Sequence, residues 1–156
     1  MSTKPPNDKA DLDSYKLAEN PGHLLRRAQQ FGVATFATYA GRDLRPRQFA
    51  LLISVYQNPG LHQVDYMPLV RMDRSTISDV VDRLEKRGLL ERRKEDGDDR
   101  TANLYATDAG EAALKEALSG VQAQEAEIFK RLPAELHAPF MQALKILASE
   151  EDGGAS

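Results

Sequence analysis

The stretch 73–107 limits the possible folds more than any other part of the sequence. Its first half predicts a short helix with one apolar stripe, because four aliphatic residues recur at the i, i+3, i+4, i+7 spacing. These residues are Ile77, Val80, Val81 and Leu84. Gly88 stops the helix, since glycine readily takes the positive φ of a helix C-terminus. Segments 90–94 and 100–106 then flank an Asp96-Gly97 turn, which predicts a β-hairpin.

The opposite face of this helix is polar, with short hydroxyl groups beside guanidinium groups. That mixture suits base edges and phosphates in the major groove of DNA. A helix that contacts bases (the reading helix), followed by a hairpin that contacts the DNA backbone, is the arrangement of a winged helix-turn-helix. The candidate base contacts are Arg74, Ser75, Thr76, Ser78, Asp79 and Arg83 (Arg83 serving a base or a phosphate), and the candidate phosphate contacts are Arg92, Arg93 and Lys94.

A solvated face is the competing interpretation of these polar residues. For an isolated helix it would be favoured, but the hairpin that follows reverses the preference. For Arg92 and Arg93, solvation at a strand edge is about as good an interpretation as a phosphate contact. Asp73 is expected to cap the reading helix, Gly88 to be structural, and Thr107 to cap the next helix.

The rest of the sequence predicts a mainly α-helical chain organised around this unit. Helical patterns cover about 23–39, 45–57, 63–70, 108–131 and 134–148. We expect a flexible N-terminal arm over 1–20, a winged helix-turn-helix over 41–107, a helical dimerisation region from 21–40 and 108–148, and an acidic tail over 149–156. The terminal helices are amphipathic, and a compact winged core can cover little of their apolar surface, so a second copy is the expected partner. An intramolecular bundle in a monomer is the alternative.

Composition excludes several classes of protein. Cysteine is absent, so disulfides, thiolate metal ligands and thiol switches are ruled out. The three histidines, His23, His62 and His137, lack the i, i+4 ligand spacing, which disfavours metal sensing. No membrane-spanning run or signal-peptide core is present, and we expect a cytoplasmic protein.

Charge alone would not suggest a nucleic-acid binder, because the formal net charge is −3. The acidic residues are concentrated late in the chain: 101–156 holds four Lys or Arg against nine Asp or Glu. Even segment 71–100 is balanced, with nine residues of each sign. Any basic surface must therefore arise from how the fold places its arginines.

Three groups of residues together resemble the MarR (multiple-antibiotic-resistance regulator) family of bacterial transcription factors. They are Arg74-Ser75-Thr76-Ile77-Ser78, the run from Val81 to Arg92 through Gly88-Leu89-Leu90, and Asp98-Asp99-Arg100 with Thr107 and Gly110 beyond. The resemblance covers about residues 22–148. It implies a symmetric dimer on a palindromic operator, usually a repressor that a small ligand releases. It also implies that Arg100 enters the minor groove, with Asp98 orienting it.

Two departures from the family pattern stand out. Arg45-Pro46-Arg47-Gln48 replaces the usual Leu-Thr-x-x-Gln opening of a helix, and Tyr105-Ala106 replaces a bulkier pair before Thr107. Neither touches the reading helix, so both are expected to affect core packing rather than function.

The resemblance places an effector site where the dimerisation helices meet the winged core. Candidate anchors for a carboxylate or phosphate are His23, Arg26, Arg27 and Gln30, and candidate stacking residues are Tyr39, Phe49, His62 and Tyr66. Surface charges and core aromatics are the favoured alternative at each single position. The run 23–30 also resembles a subgroup associated with the degradation of aromatic acids, sometimes sensed as CoA thioesters.

The sequence therefore predicts a ligand-responsive DNA-binding regulator, with an aromatic acid or its CoA thioester as the effector and no cofactor. A winged-helix module that contacts proteins instead of DNA is the alternative. An enzyme is not expected, because no nucleophile–base pair, metal cluster or phosphate-cradling glycine loop is present.

Overall fold

The computed structural model describes residues 9–94 and 102–149. The described chain is mainly helical, with one two-stranded antiparallel sheet, as the sequence predicts. Its elements, in order, are α1 (Lys9–Ser14), α2 (Pro21–Tyr39), α3 (Pro46–Gln57), α4 (Gln63–Val70), α5 (Arg74–Lys86), β1 (Leu90–Lys94), β2 (Ala102–Ala106), α6 (Asp108–Phe129) and α7 (His137–Ala148).

Side-chain caps fix where three of these helices begin. The side chain of Asn20 accepts from the His23 N–H at 2.8 Å at the start of α2. Thr107 Oγ1 accepts from the Gly110 N–H at 3.0 Å at the start of α6, and Asp73 caps α5. Each cap satisfies an amide that the helix itself leaves without a partner.

A single apolar core joins α3, α4, α5, the hairpin and the first turns of α6. The predicted stripe of α5 is buried against α3, and Leu84 is fully inaccessible. The largest fully buried side chains are Tyr66, Leu44, Leu51, Leu52, Ile77, Leu84, Leu90, Leu104, Val55 and Val81. These ten residues all come from segment 44–104, and Leu114 and Ala117 of α6 complete the same core.

Strand β2 connects the hairpin to the helical core. It pairs with β1 in the register Leu90↔Ala106 to Lys94↔Ala102. On its other edge, the Leu104 N–H donates to the Leu61 carbonyl at 3.0 Å, and the Gly60 N–H donates to the Leu104 carbonyl at 2.9 Å. The base of the hairpin is therefore held on both sides, by β1 and by the segment that leads into α4.

Helix α6 contacts both the winged unit and α2 through two glycines. A Cβ on Gly110 would lie 2.0 Å from the Leu89 carbonyl oxygen, and one on Gly120 would lie 2.1 Å from the Tyr39 carbonyl oxygen. Only glycine permits approaches this close. Further along, Gln124 Nε2 donates to the Gly32 carbonyl at 3.1 Å.

The helices at the two ends of the chain keep large apolar side chains exposed. No residue of α7 is buried. The exposed apolar residues of α1, α2, α6, α7 and their connections are Leu12, Tyr15, Leu17, Leu24, Leu25, Val33, Tyr39, Leu118, Leu136, Met141, Leu144, Ile146 and Leu147. The described chain does not cover this surface itself.

Some elements differ from the sequence-based expectation. Part of the expected arm is helical, with α1 at Lys9–Ser14 and a 3₁₀ turn at Leu17–Glu19; Lys, Ala and Leu are good helix formers. A 3₁₀ turn at Ala134–Leu136 precedes α7, since the proline before it interrupts the helical pattern. The Asp96-Gly97 turn lies outside the described residues.

Candidate nucleic-acid interface

Helix α5 separates an apolar face from a polar one, as a reading helix must. Ile77, Val80, Val81 and Leu84 are buried. Arg74, Ser75, Asp79 and Arg83 are exposed, and Thr76 and Ser78 are half-buried. All six predicted base contacts thus lie on one helix, and the four exposed ones are accessible.

The N-terminus of α5 is fixed by Asp73. Its carboxylate accepts from the Thr76 N–H at 2.7 Å and from the Ser75 hydroxyl at 2.9 Å. The hydrogen bond from the Thr76 amide is the main reason that the pKa of Asp73 lies below its ordinary value. Ser75 is therefore part of the cap as well as a candidate base contact.

Several of the predicted cationic contacts are neutralised within the chain. Arg83 Nε lies 2.9 Å from Asp79 Oδ2, one helical turn earlier. The guanidinium of Arg93 is paired with Glu91, with 2.7 Å between Nε and Oε1, and its Cζ lies 4.4 Å from the centre of the Tyr105 ring. In each of these arginines part of the guanidinium is already engaged, so a phosphate would compete with the carboxylate for it.

Arg92 links the hairpin to the reading helix. Its guanidinium is half-buried and bonded to Glu85 and to Asp82, the latter at 2.7 Å. Burial by itself would lower the pKa of Arg92, but the hydrogen bonds and charges of Asp82 and Glu85 outweigh it and raise the pKa. The geometry favours a role in holding β1 against α5 over the predicted phosphate contact.

The tip of the hairpin carries the rest of the predicted wing. Lys94 is exposed at the end of β1. Asp98 and Arg100 lie outside the described residues, so their roles stay predictions.

Two exposed arginines that the sequence interpretation did not name as DNA contacts lie beside the reading helix. Arg45 and Arg47, at the start of α3, line a cleft together with Thr76, Asp79 and Arg83 of α5. The departure from the family pattern at 45–48 was expected to affect core packing only. In the structure Gln48 alone is buried there, while both arginines are exposed, so that expectation is wrong for the arginines.

The eight predicted effector contacts do not form one cluster. His23, Arg26, Arg27 and Gln30 lie on the N-terminal half of α2, where all but His23 are exposed. Tyr39 lines a separate shallow cavity with Arg42 and Glu116.

The other three aromatic candidates lie near the winged core and differ in accessibility. Phe49 is half-buried. His62 precedes α4, and its Nδ1 is buried with no hydrogen-bond partner among the described residues. Tyr66 has to be removed from the set: it is fully buried and its hydroxyl donates to the Asn58 carbonyl, so no ring surface remains for stacking. Burial also raises the pKa of Tyr66.

An open cavity of about 230 Å³ lies between α3 and α6 and suits an apolar ligand. Its lining residues are Phe49, Ile53, Tyr56, Glu111, Leu114, Lys115 and Leu118. The cation on its rim, Lys115, is paired with Glu111 at 2.6 Å, and that carboxylate raises the pKa of Lys115. The sequence interpretation named Phe49 but missed the α6 wall, because an amphipathic stripe does not reveal which helix it will face.

No helix in the described ranges combines the length and the apolar character needed to cross a membrane.

Comparison with known proteins agrees with this architecture. The sequence model of the MarR family matches residues 44–102. The chain is 32% identical to the HTH-type transcriptional repressor NicR of Pseudomonas putida over 117 residues, which is 73% of this chain and 74% of NicR.

Two solved structures are similar over most of their length. Bordetella bronchiseptica BpsR superposes with a TM-score of 0.81 at 26% identity, over 88% of this chain and 99% of BpsR. The DNA binding of BpsR is regulated by 6-hydroxynicotinic acid. The repressor CouR, bound to a 23-mer DNA duplex, gives 0.78 at 29% identity, over 85% of this chain and 95% of CouR.

These similar proteins are transcriptional regulators rather than enzymes, in agreement with the sequence-based expectation. The reading helix, the hairpin and the matched segment together establish that the chain belongs to the MarR family of DNA-binding transcriptional regulators.

Proposed function

We propose that this regulator is a repressor that binds a palindromic operator as a homodimer and is released by a small aromatic acid or its CoA thioester. The observation that carries the proposal is α5, whose apolar stripe is buried while its polar face stays exposed beside the hairpin. A helix of this kind can enter the major groove without disturbing its own core. Acting on chromosomal DNA, the protein would work in the cytoplasm.

The dimer is supported by the exposed apolar residues at both ends of the chain. Ile146 and Leu147 are 64% and 65% exposed, and a second copy related by twofold symmetry would cover the same surface on each protomer. Twofold symmetry would present two α5 helices to half-sites about one helical turn apart, roughly 34 Å. The regions 21–40 and 108–148 are the proposed dimerisation region.

The effector class is supported by the apolar cavity between α3 and α6 and by BpsR, whose DNA binding responds to 6-hydroxynicotinic acid. The aromatic ring would occupy the cavity beside Phe49. Because Lys115 is already paired, the carboxylate would be held by one of the candidate anchors on α2, His23, Arg26 or Arg27, of the same protomer or of its partner. An effector that prefers the DNA-free dimer weakens DNA binding by the same factor that DNA weakens effector binding.

A fluorescence anisotropy titration tests the DNA-binding half of the proposal. Operators are selected from a random duplex library, and the affinity for the selected duplex is compared with that for a random duplex at several salt concentrations. We expect a selected site with two inverted half-sites, bound at least about 10³-fold more tightly than random DNA. Absence of binding even at low salt would favour the alternative, a winged-helix module that contacts proteins.

The same titration with 6-hydroxynicotinate or benzoate present tests release. We expect either acid to weaken operator binding by wild type, and Arg27→Ala to reduce that effect if Arg27 holds the carboxylate. A set of aromatic acids and thioesters with no effect on operator affinity would contradict the effector class while leaving DNA binding untouched.

A further inference from the structure

The two arginines at the start of α3 face the same cleft as the exposed side of the reading helix. Arg45 and Arg47 line this cleft with Thr76, Asp79 and Arg83. Arg47 is also close enough to Asp73 for its charge to help lower the pKa of that carboxyl. Both arginines thus lie beside the N-terminal part of α5 that is expected to meet DNA.

Three other arginines of this face are paired with carboxylates, whereas Arg45 and Arg47, like Arg74 of α5, form no ion pair among the described residues. Arg83, Arg92 and Arg93 each form an ion pair with a carboxylate of the chain. Within the described part of the chain, neither Arg45 nor Arg47 makes such a pair. A guanidinium without a carboxylate partner can bind a phosphate without first giving up another ion pair.

The backbone holds these two positions rigidly on the surface. Pro46 occupies the first turn of α3, where its fixed φ suits a helix start. The side chain of Gln48 is buried and accepts from the Arg45 N–H at 3.0 Å. The positive end of the α3 dipole adds to the local attraction for anions.

We propose that Arg45 and Arg47 bind backbone phosphates of the DNA strand that borders the groove read by α5. The proposal rests on the proposed DNA binding and names a contact outside the reading helix and the hairpin. Contacts of this kind set the position of the protein on the duplex and carry no sequence preference. They also supply positive charge next to α5, where Asp79 offsets part of the charge of Arg83.

The test is the salt dependence of DNA binding by the double variant Arg45→Gln/Arg47→Gln. The slope of log K against log salt falls by about 0.9 for each phosphate that the protein no longer neutralises, so we expect a decrease of about 1.8 for the pair. Affinity should fall by the same factor for the operator and for a random duplex. Arg45→Lys/Arg47→Lys should restore most of the slope, because binding a phosphate needs mainly the charge.

The matched control is Lys16→Gln/Arg42→Gln, which removes the same charge from two exposed positions outside the cleft and outside the proposed dimerisation region. It should leave the slope within error of wild type. Circular dichroism and the thermal midpoint establish that each variant is folded, and the two single variants should each show about half of the effect.

Two outcomes would overturn the proposal. A wild-type salt slope in the folded double variant would remove the phosphate contacts while DNA binding stands, and loss of benzoate binding in the same variant would assign the cleft to a small carboxylate. A weakening confined to the operator would indicate base reading instead. Failure of wild type to bind any DNA would instead remove the proposed function, and this inference with it.

Discussion

The winged unit buries its large apolar residues, whereas the helices at the chain ends leave many of theirs exposed. In the winged unit Leu52, Ile77 and Leu84 are completely inaccessible. In α2 and α7, Leu24, Leu144 and Leu147 are 46%, 37% and 65% exposed. The first region is completed within the chain, whereas the second leaves apolar surface that the described chain does not cover. Stability and assembly should therefore respond to different residues.

The largest effect is expected inside the winged unit. Leu52→Ala should lower the free energy of unfolding by about 2–5 kcal/mol, because it removes buried methyl groups and leaves a cavity. Urea denaturation of the variant and wild type at one protein concentration measures it. Leu69→Ala, at a 54% exposed position of α4, should change the same free energy by less than about 0.5 kcal/mol. Equal effects at the two positions would contradict the contrast between buried and exposed leucines.

A charge on α7 should act on assembly instead. Leu147→Asp should weaken the proposed dimer by about tenfold or more, which corresponds to about 1.4 kcal/mol, since a carboxylate would be buried in an apolar contact. Sedimentation velocity across a dilution series measures the dissociation constant. Gln57→Asp adds the same charge at an exposed position of α3, outside the proposed dimerisation region, and is expected to leave the constant unchanged. A wild-type chain that stays monomeric at all concentrations would contradict the assignment of this surface.

The smallest effect on stability is expected at the cap of α5, which lies at the edge of the winged unit. The folded-state pKa of Asp73 is lowered chiefly by the Thr76 amide, so the cap contributes its full stability above the ordinary carboxyl pKa of about 3.9. That contribution is lost as the pH falls through the lower folded-state pKa. Asp73→Asn, which also caps helices, should match wild type near neutral pH and lose less stability on acidification. Urea midpoints between about pH 2 and 7 measure this difference, and identical acid profiles would contradict it.

Local signals explain why most of the fold could be predicted from the sequence. Periodicity placed the stripe of α5, and the polar residues Asp73 and Thr107 marked the starts of α5 and α6. The Gly88 stop and the paired strands around 90–106 required only neighbouring residues as well. These features depend on short-range chemistry, which the sequence displays directly.

The parts that could not be predicted depend on how distant segments pack. Tyr66 is an aromatic residue that could stack on a ligand. Only the fold shows that its ring is buried and that its hydroxyl donates to the Asn58 carbonyl. In the sequence Arg92 looks like an unpaired cation. The structure shows that it is paired with Asp82 and Glu85, because β1 lies beside α5. The sequence does not show that Arg45 and Arg47, at the start of α3, lie beside α5. Composition and spacing do not contain this information, since ion pairs and clefts form between elements far apart in the chain.

The close approaches of Gly110 to Leu89 and of Gly120 to Tyr39 fix the rotational phase of α6 as well as its position. Removing a single residue between these two glycines would turn everything beyond the deletion by about 100° and shift it by about 1.5 Å along the axis. The α7 surface would then point in another direction while the reading helix stayed in place, and in the proposed dimer the two reading helices could no longer meet the same duplex. The number of residues between these glycines therefore sets the direction of α7 relative to the reading helix.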